Sequence, residues 1–346
     1  ACKDIAVRRS VFVDVNAHDG IFYAAKTDGL LFEDSIFFRP RDPAPAAPAV
    51  YGRHFYLSPD GDTEEDKQVL KNTTIQGCIL AYAERGGIDG RSGGDFDNNI
   101  FIRNGIRLGG GGGSAGSIQS GNVRNNVFTQ ASPNTGGASG ISLVNIDGAV
   151  ISNNIFTDAT NATLSTVPIG VHDDTGTLYL AKNIEISGNI AYSYKSSGST
   201  RALYFGKLTN VDNLYIHNNQ WQYLTGSKDL VLADEAPISE MIFADNTYYS
   251  SANTDDWFSP GDTFAGWVSE SGELGASNQK IAYTDPSRTV NSYNASLGGI
   301  SDTDDFLAET LLQSRDNWRV EYTANSVNNW IRTGFDMNEP EIVKEI

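Results

Sequence analysis

Residues 149–160 read AVISNNIFTDAT, and near copies stand on either side: DFDNNIFIRN at 95–104, NVRNNVFTQ at 122–130, IEISGNIAYSY at 184–194, LYIHNNQWQYL at 214–224 and MIFADNTYYS at 241–250. Anchored on the residue before the apolar pair, the repeat runs through Ser10, Ser35, Cys78, Asn99, Asn126, Asn154, Asn189, Asn219 and Asn246, at separations of 21 to 43 residues. Each anchor opens a short apolar stretch that ends in a polar, Gly-rich turn, leaving little room for long helices between turns. Short strand, turn, short strand and return to register is the pattern of a β-solenoid coil, in which each turn of chain stacks on the last. Stacking brings equivalent residues about 4.8 Å apart. An asparagine kept at one corner then bonds its carboxamide to the next asparagine and to turn backbone that burial would leave unpaired. The pattern predicts an asparagine ladder, with Cys78 as a small buried rung rather than a reactive thiol.

Composition agrees with a turn-rich chain: 346 residues, 39% apolar, with 35 glycines. No apolar run is long enough to span a membrane, so no membrane insertion is expected. A formal charge of −18 argues against nucleic acid as a partner. Two cysteines make no disulfide framework. The chain opens at Ala1 without an initiator methionine, which is compatible with a removed leader, and the location expected is secreted or periplasmic.

A second column starts another strand of each coil. Aligning GIFYA, HFYLS, GIDGR, GIRLG, GISLV, GVHDD, ALYFGK and DLVLA places Ile21, Phe55, Ile88, Ile106, Ile141, Val171, Leu203 and Leu230 inward. Strand side chains alternate, so the next residues face out: Phe22, Tyr56, Asp89, Arg107, Ser142, His172, Tyr204 and Val231. Two residues further the same face carries Arg91 and Asp174 among smaller residues, with Lys207 just beyond.

The coil repeat, the ladder and this polar stripe resemble the right-handed parallel β-helix proteins of the pectate lyase-like superfamily, over roughly residues 1–250. The resemblance implies an all-β solenoid that binds a sugar chain along its outer face, as lyase, hydrolase or uronate epimerase; tailspikes and adhesins share the fold. His172-Asp173-Asp174 resembles the paired aspartates of polygalacturonase-type hydrolases, though RALYFGK on the next coil lacks their Gly-His-Gly and Arg-Ile-Lys. NAHDG at 16–20 and YGRH at 51–54 are fragments of the epimerase signature, not the whole of it.

Cleavage of a uronate polymer by elimination needs a cation on the carboxylate, a base for the neighbouring proton and an acid for the leaving oxygen. Arg107 and Arg91 suit the first task. His172 and Tyr204 suit the base and acid, with Lys207 a competing base. Ser142, Asp89, Asp174 and Tyr56 complete the expected binding face. A hydrolase would instead use a carboxylate pair drawn from Asp89, Asp173 and Asp174, and a structural solenoid would need neither set. No cofactor is required in these schemes, but SPDGDTEED places Asp60, Asp62 and Glu64 where calcium could bind.

Three segments leave the repeat. The Pro-rich stretch 39–54 reads as an extended loop walling the groove, and LGGGGGSAGS at 108–117 as a flexible excursion beside it. After Ser250 the repeat stops, and two short helices are expected at DTDDFLAETLLQ and TANSVNNWIRTGF, covering the open C-terminal end of the solenoid in a 251–346 extension. The first coil shows no such cover, so an upstream segment or a partner chain is expected there.

Overall fold

The computed structural model describes residues 2–340 apart from 16–19, 25–26, 41–51, 59–69, 84–85, 111–117, 131–139, 159–166, 173–179, 194–200, 225–229, 234, 252–256 and 262. Asp60, Asp62, Glu64, Asp173, Asp174, most of the Pro-rich stretch and the centre of the Gly run lie outside the described residues. The strands form three parallel sheets of nine, ten and nine members, visited in strict rotation by the chain up to its last strand, which joins the second sheet. This is a parallel β-helix of nine coils. Coil 6 is representative: Ile146–Ser152 lies in the first sheet, Ile155–Thr157 in the second and Ile169–Val171 in the third. No helix among the described residues is long and apolar enough to cross a membrane.

The doubled asparagine has two jobs at the corner between the first and second sheets. Its first residue adopts a left-handed backbone, with φ between 48° and 63° at Arg9, Asp34, Gly77, Asn98, Asn125, Asn153, Gly188, Asn218 and Asp245. Asn, Asp and Gly tolerate that conformation best, which is why the position so often carries them. The second residue is the rung. From Cys78 to Asn246 each rung's backbone N–H donates to the side-chain oxygen one coil on, at 2.8–3.1 Å. Each asparagine Nδ2 donates to that same oxygen, and also to a first-sheet carbonyl of the coil before at 2.8–2.9 Å. Cys78 is fully buried, and burial pushes its thiol far above the usual range.

The ladder stops on a residue outside the repeat. Glu273, 3% exposed, accepts from Asn246 Nδ2 at 2.8 Å and Asn246 N at 3.1 Å through Oε1. Its Oε2 accepts from Trp267 Nε1 and Tyr248 Oη, both at 2.9 Å. Trp267 belongs to helix α1 (Phe264–Ser271) and packs on Phe243 and Phe258. Thr263 caps the start of α1 and Gly272, at φ 65°, ends it. Two strands, Phe258–Ser259 and Ser277–Asn278, continue the third and second sheets beyond Ser250.

The helical cover therefore sits differently from the sequence-based expectation. The last coil is closed by α1. The two expected helices form, as α3 (Thr303–Leu311) and α4 (Ala324–Gly334), together with α2 (Val290–Ser296). All three pack on the outside of the second sheet. Val290, Phe306, Leu307, Val327, Ile331 and Phe335 bury Ile79, Ile100, Ile102, Val127, Ile155 and Ile190. The reason is written in the strands: IFI at 100–102 turns Phe101 into the core, where it stacks on Phe128 at 4.7 Å, and Phe128 in turn on Phe156 at 4.8 Å, and it turns two isoleucines outward. A strand apolar on both faces must be covered on both. The cover is fastened by polar contacts to the corner residues, with Asn328 Nδ2 donating to Asn98 O at 3.1 Å and Arg332 Nη1 to Asn153 O at 2.8 Å.

Candidate functional site

With the second sheet covered by helices, the outer side of the third sheet carries the polar stripe. Its register runs Tyr23, Tyr56, Asp89, Arg107, Ser142, Gly170, Tyr204 and Leu232 across coils 1 to 8. Tyr56, Asp89, Arg107, Ser142 and Tyr204 stand where alternation placed them. Three positions differ. Phe22 turns inward onto Phe32 and Phe55, leaving Tyr23 outside. Val231, not Leu230, pairs with inward Leu203. His172 lies two residues past its expected column, because the strand of coil 6 begins at Ile169, directly after Pro168, and Gly170 fills the place opposite Ser142. Alternation survives a shift of two, so His172 still faces out, level with Val144.

The shift assembles a small cluster. Ser142 Oγ lies 2.8 Å from His172 Nε2. The His172 ring stands 6.2 Å from that of Tyr204, tilted by 40°. Arg201 holds its guanidinium over the Tyr204 ring, 5.1 Å from its centroid. Gly170 leaves a gap between these groups: a Cβ built there would sit 3.5 Å from His172 Cδ2 and 3.8 Å from Tyr204 Cδ1. Ser142, His172 and Tyr204 come from three successive coils, so the sheet spacing itself brings a hydroxyl, an imidazole and a phenol around the bare backbone of Gly170.

A second cluster lies toward the N-terminal coils. The Asp89 side chain is 5% exposed, and its Oδ2 is 3.4 Å from both Arg53 Nη2 and Arg91 Nε. Asp89 Oδ1 is buried and accepts no hydrogen bond. Both guanidiniums also approach the Tyr56 ring, at 5.1 and 4.9 Å, and Tyr23 stacks on Tyr56 at 5.6 Å. Arg107, paired in register with Asp89 and Ser142, lies between the two clusters and folds over Gly110, whose missing side chain makes room for the guanidinium. Lys207, at the far end, is half exposed and ion-paired with Glu235 at 3.3 Å. The described part of this face thus groups Arg53, Arg91, Arg107, Arg201 and Lys207 against Asp89 and Glu235, in a chain whose overall charge is −18.

The chain matches no protein-family model, no curated protein and no solved structure.

Sequence reasoning missed Tyr23, Arg53 and Arg201. A signal existed for Tyr23, since GIFYA offers two aromatic residues in succession and either can take the inner place. Arg53 and Arg201 sit at or just before strand starts, where alternation gives no direction. The calcium ligands considered from sequence lie outside the described residues, and among the described residues no group of three His, Cys, Asp or Glu could hold a metal ion.

His54, of the YGRH fragment, is a core residue. It is fully buried, Nε2 donates to Ala81 O at 3.1 Å, and burial lowers its pKa to about 3. Between that value and about 6.5 the unfolded chain binds a proton that the folded one refuses, so stability falls as pH drops through this window. The expected loss from this group is about 2 kcal/mol at pH 5 relative to pH 7. Urea denaturation at the two pH values should show the drop in the parent and a smaller one in His54→Gln; equal drops would contradict the assignment.

Proposed function

We propose that this β-helix cleaves an acidic, uronate-containing polysaccharide by β-elimination on the outer face of the third sheet, in the manner of the lyases of the pectate lyase-like superfamily that its sequence resembles. The observation that carries the reading is the Ser142–His172 contact beside Tyr204 and the Gly170 gap, with Arg107 on the coil next to Ser142.

The roles follow from the chemistry of each group. Arg107 pairs with the substrate carboxylate and draws charge from C5, making its proton more acidic. His172 takes that proton through Nε2 once the Ser142 hydroxyl, which bonds this nitrogen in the free protein, turns from it to the substrate and leaves its lone pair open. The C5–H electrons form the C4–C5 double bond, the C4–O bond breaks, and the Tyr204 hydroxyl donates a proton to the departing oxygen. The imidazole ends with one proton more and the phenol with one fewer, and exchange with solvent restores both. Lys207, half exposed and ion-paired, suits contact with a substrate carboxylate better than proton abstraction. Asp89, one of the carboxylates a hydrolase would use, is the less suited to that work because two guanidiniums occupy one of its oxygens. The setting in which such polymers are met is extracellular or periplasmic.

The test is ultraviolet absorbance of the new unsaturated uronate during incubation with alginate, polygalacturonate and other uronate polymers. A rise that disappears in His172→Ala and Tyr204→Phe supports the reading. New reducing ends without absorbance would replace it by hydrolysis, and neither signal on a broad panel would leave a binding or structural solenoid. Gly170→Leu gives a third check: ordinary contact distances admit its Cβ, but the rest of the side chain fills the gap, so the fold should persist while turnover falls at least tenfold.

A further inference from the structure

We infer that base and acid work from the same side of the sugar, by syn elimination, so that the protein takes uronates whose C5 hydrogen and C4 oxygen share one face of the ring. D-mannuronate and D-glucuronate have that configuration; D-galacturonate and L-guluronate do not. The inference rests on the proposed function, whose base and acid it keeps, and adds the stereochemistry that their placement demands.

Two bare positions in the sheet set the placement. Gly170 lies in the coil of His172 and pairs in register with Tyr204, and Gly206 lies in the coil of Tyr204. A Cβ built on Gly206 would stand 3.2 Å from Tyr204 Oη, so the phenol leans along its own strand toward Gly206. A Cβ built on Gly170 would stand 3.5 Å from His172 Cδ2 and 4.0 Å from Nε2, so the imidazole leans back along its strand toward Gly170. The two rings thus rest side by side against the sheet, pointing opposite ways. Neither reacting atom rises high enough to work from above a sugar that lies on this face.

Spacing closes the other route. Base and acid could still act from opposite sides if the sugar stood edge-on between them, but that takes two carbon contacts of about 3.5–4.0 Å each, roughly 7–8 Å in all. The His172 and Tyr204 ring centroids are 6.2 Å apart. A sugar therefore lies over the pair, and one of its faces meets both.

The reaction then selects its substrate. His172 Nε2 receives the C5 proton, the C5–H electrons become the C4–C5 double bond, the C4–O electrons leave with the oxygen, and the Tyr204 hydroxyl protonates that oxygen. Both bonds turn toward the sheet together only where hydrogen and oxygen are cis. In galacturonate and guluronate one of the two always faces solvent, beyond hydrogen-bond reach of the group that must serve it. Mannuronate and glucuronate differ at C2, which takes no part.

Elimination erases the configuration at C4 and C5, so the product does not report the substrate, and the experiment uses one homopolymer at a time. Initial rates of the absorbance rise are measured on polymannuronate, polyglucuronate, polyguluronate and polygalacturonate, with Tyr204→Phe as the control that the signal arises at this site. The expected result is turnover of polymannuronate or polyglucuronate faster than that of either other polymer by about 10²-fold or more. Comparable or faster turnover of polyguluronate or polygalacturonate, lost in Tyr204→Phe, overturns the syn geometry and leaves the proposed function standing. No rise with any of the four overturns the proposed function, a rise that Tyr204→Phe leaves intact overturns the roles given to the site, and the inference falls with either.

Discussion

Glu273→Ala is expected to destabilise the protein by about 3–5 kcal/mol, the largest stability effect of any single change described here. The substitution strips the acceptor from four buried donors at once: the Asn246 backbone N–H and carboxamide, the Trp267 indole and the Tyr248 hydroxyl. Burial, then the neighbouring Glu273 carboxyl, hold the Tyr248 pKa well above its ordinary value, so the hydroxyl stays a donor. Glu273→Gln should be intermediate, at about 1–3 kcal/mol, since its amide oxygen can still serve Asn246 while its NH2 group opposes the donors of Trp267 or Tyr248. Denaturation midpoints give the magnitudes. Amide hydrogen exchange gives the location, because protection should be lost first at Asn246 and at Asn219 behind it. Parent-like stability in both variants would mean that the end of the ladder tolerates open rungs.

On a uronate polymer that the parent cleaves, His172→Ala and Tyr204→Phe should each lower turnover by about 10²–10⁴-fold. Tyr204→Phe is the cleaner of the two, because it removes one oxygen and keeps the ring that packs under Arg201 and beside His172. In the proposed elimination base and acid act in one step, so the two losses should not add. Ser142→Ala is expected to cost less, having lost only the hydrogen bond that orients the imidazole. A pH–rate profile separates base from scaffold: if His172 is the base, the rise in rate on the acid side disappears with it, whereas a purely structural role would lower the whole curve without changing its shape.

The ladder was legible in the sequence because it depends on one residue type repeated at one corner, and Ser10, Ser35 and Cys78 could be recognised as substitutes by position alone. The residue before each rung was equally readable, since Asn, Asp or Gly there reports a left-handed backbone. Glu273 was not, because the terminus of a repeat is by definition outside it. The side on which the helices would lie was present in IFI at 100–102 and IFT at 155–157, whose outward isoleucines demanded a cover, but the open end of the solenoid offered a competing place for it. At the site, alternation placed Tyr56, Asp89, Arg107, Ser142 and Tyr204, and failed by two residues at His172. Aligning GVHDD on its glycine misses this, because strand entry is set by Pro168 and Ile169. Loops between the second and third sheets vary in length from coil to coil, so no fixed spacing carries the register across them.

Every carboxamide in the ladder points the same way, oxygen toward the first coil and N–H toward the last. Their dipoles therefore add along the axis, and a carboxyl group meets the positive end, much as an acidic residue meets the start of a helix. Each rung consults only its two neighbours, and one terminator serves any number of them. Coil number is thus a free variable of the architecture: duplicating a coil such as 118–145 would lengthen the exposed face by about 4.8 Å while leaving the last rung and Glu273 as they are. The length of the solenoid can be changed in whole steps, by copying sequence rather than by redesigning it.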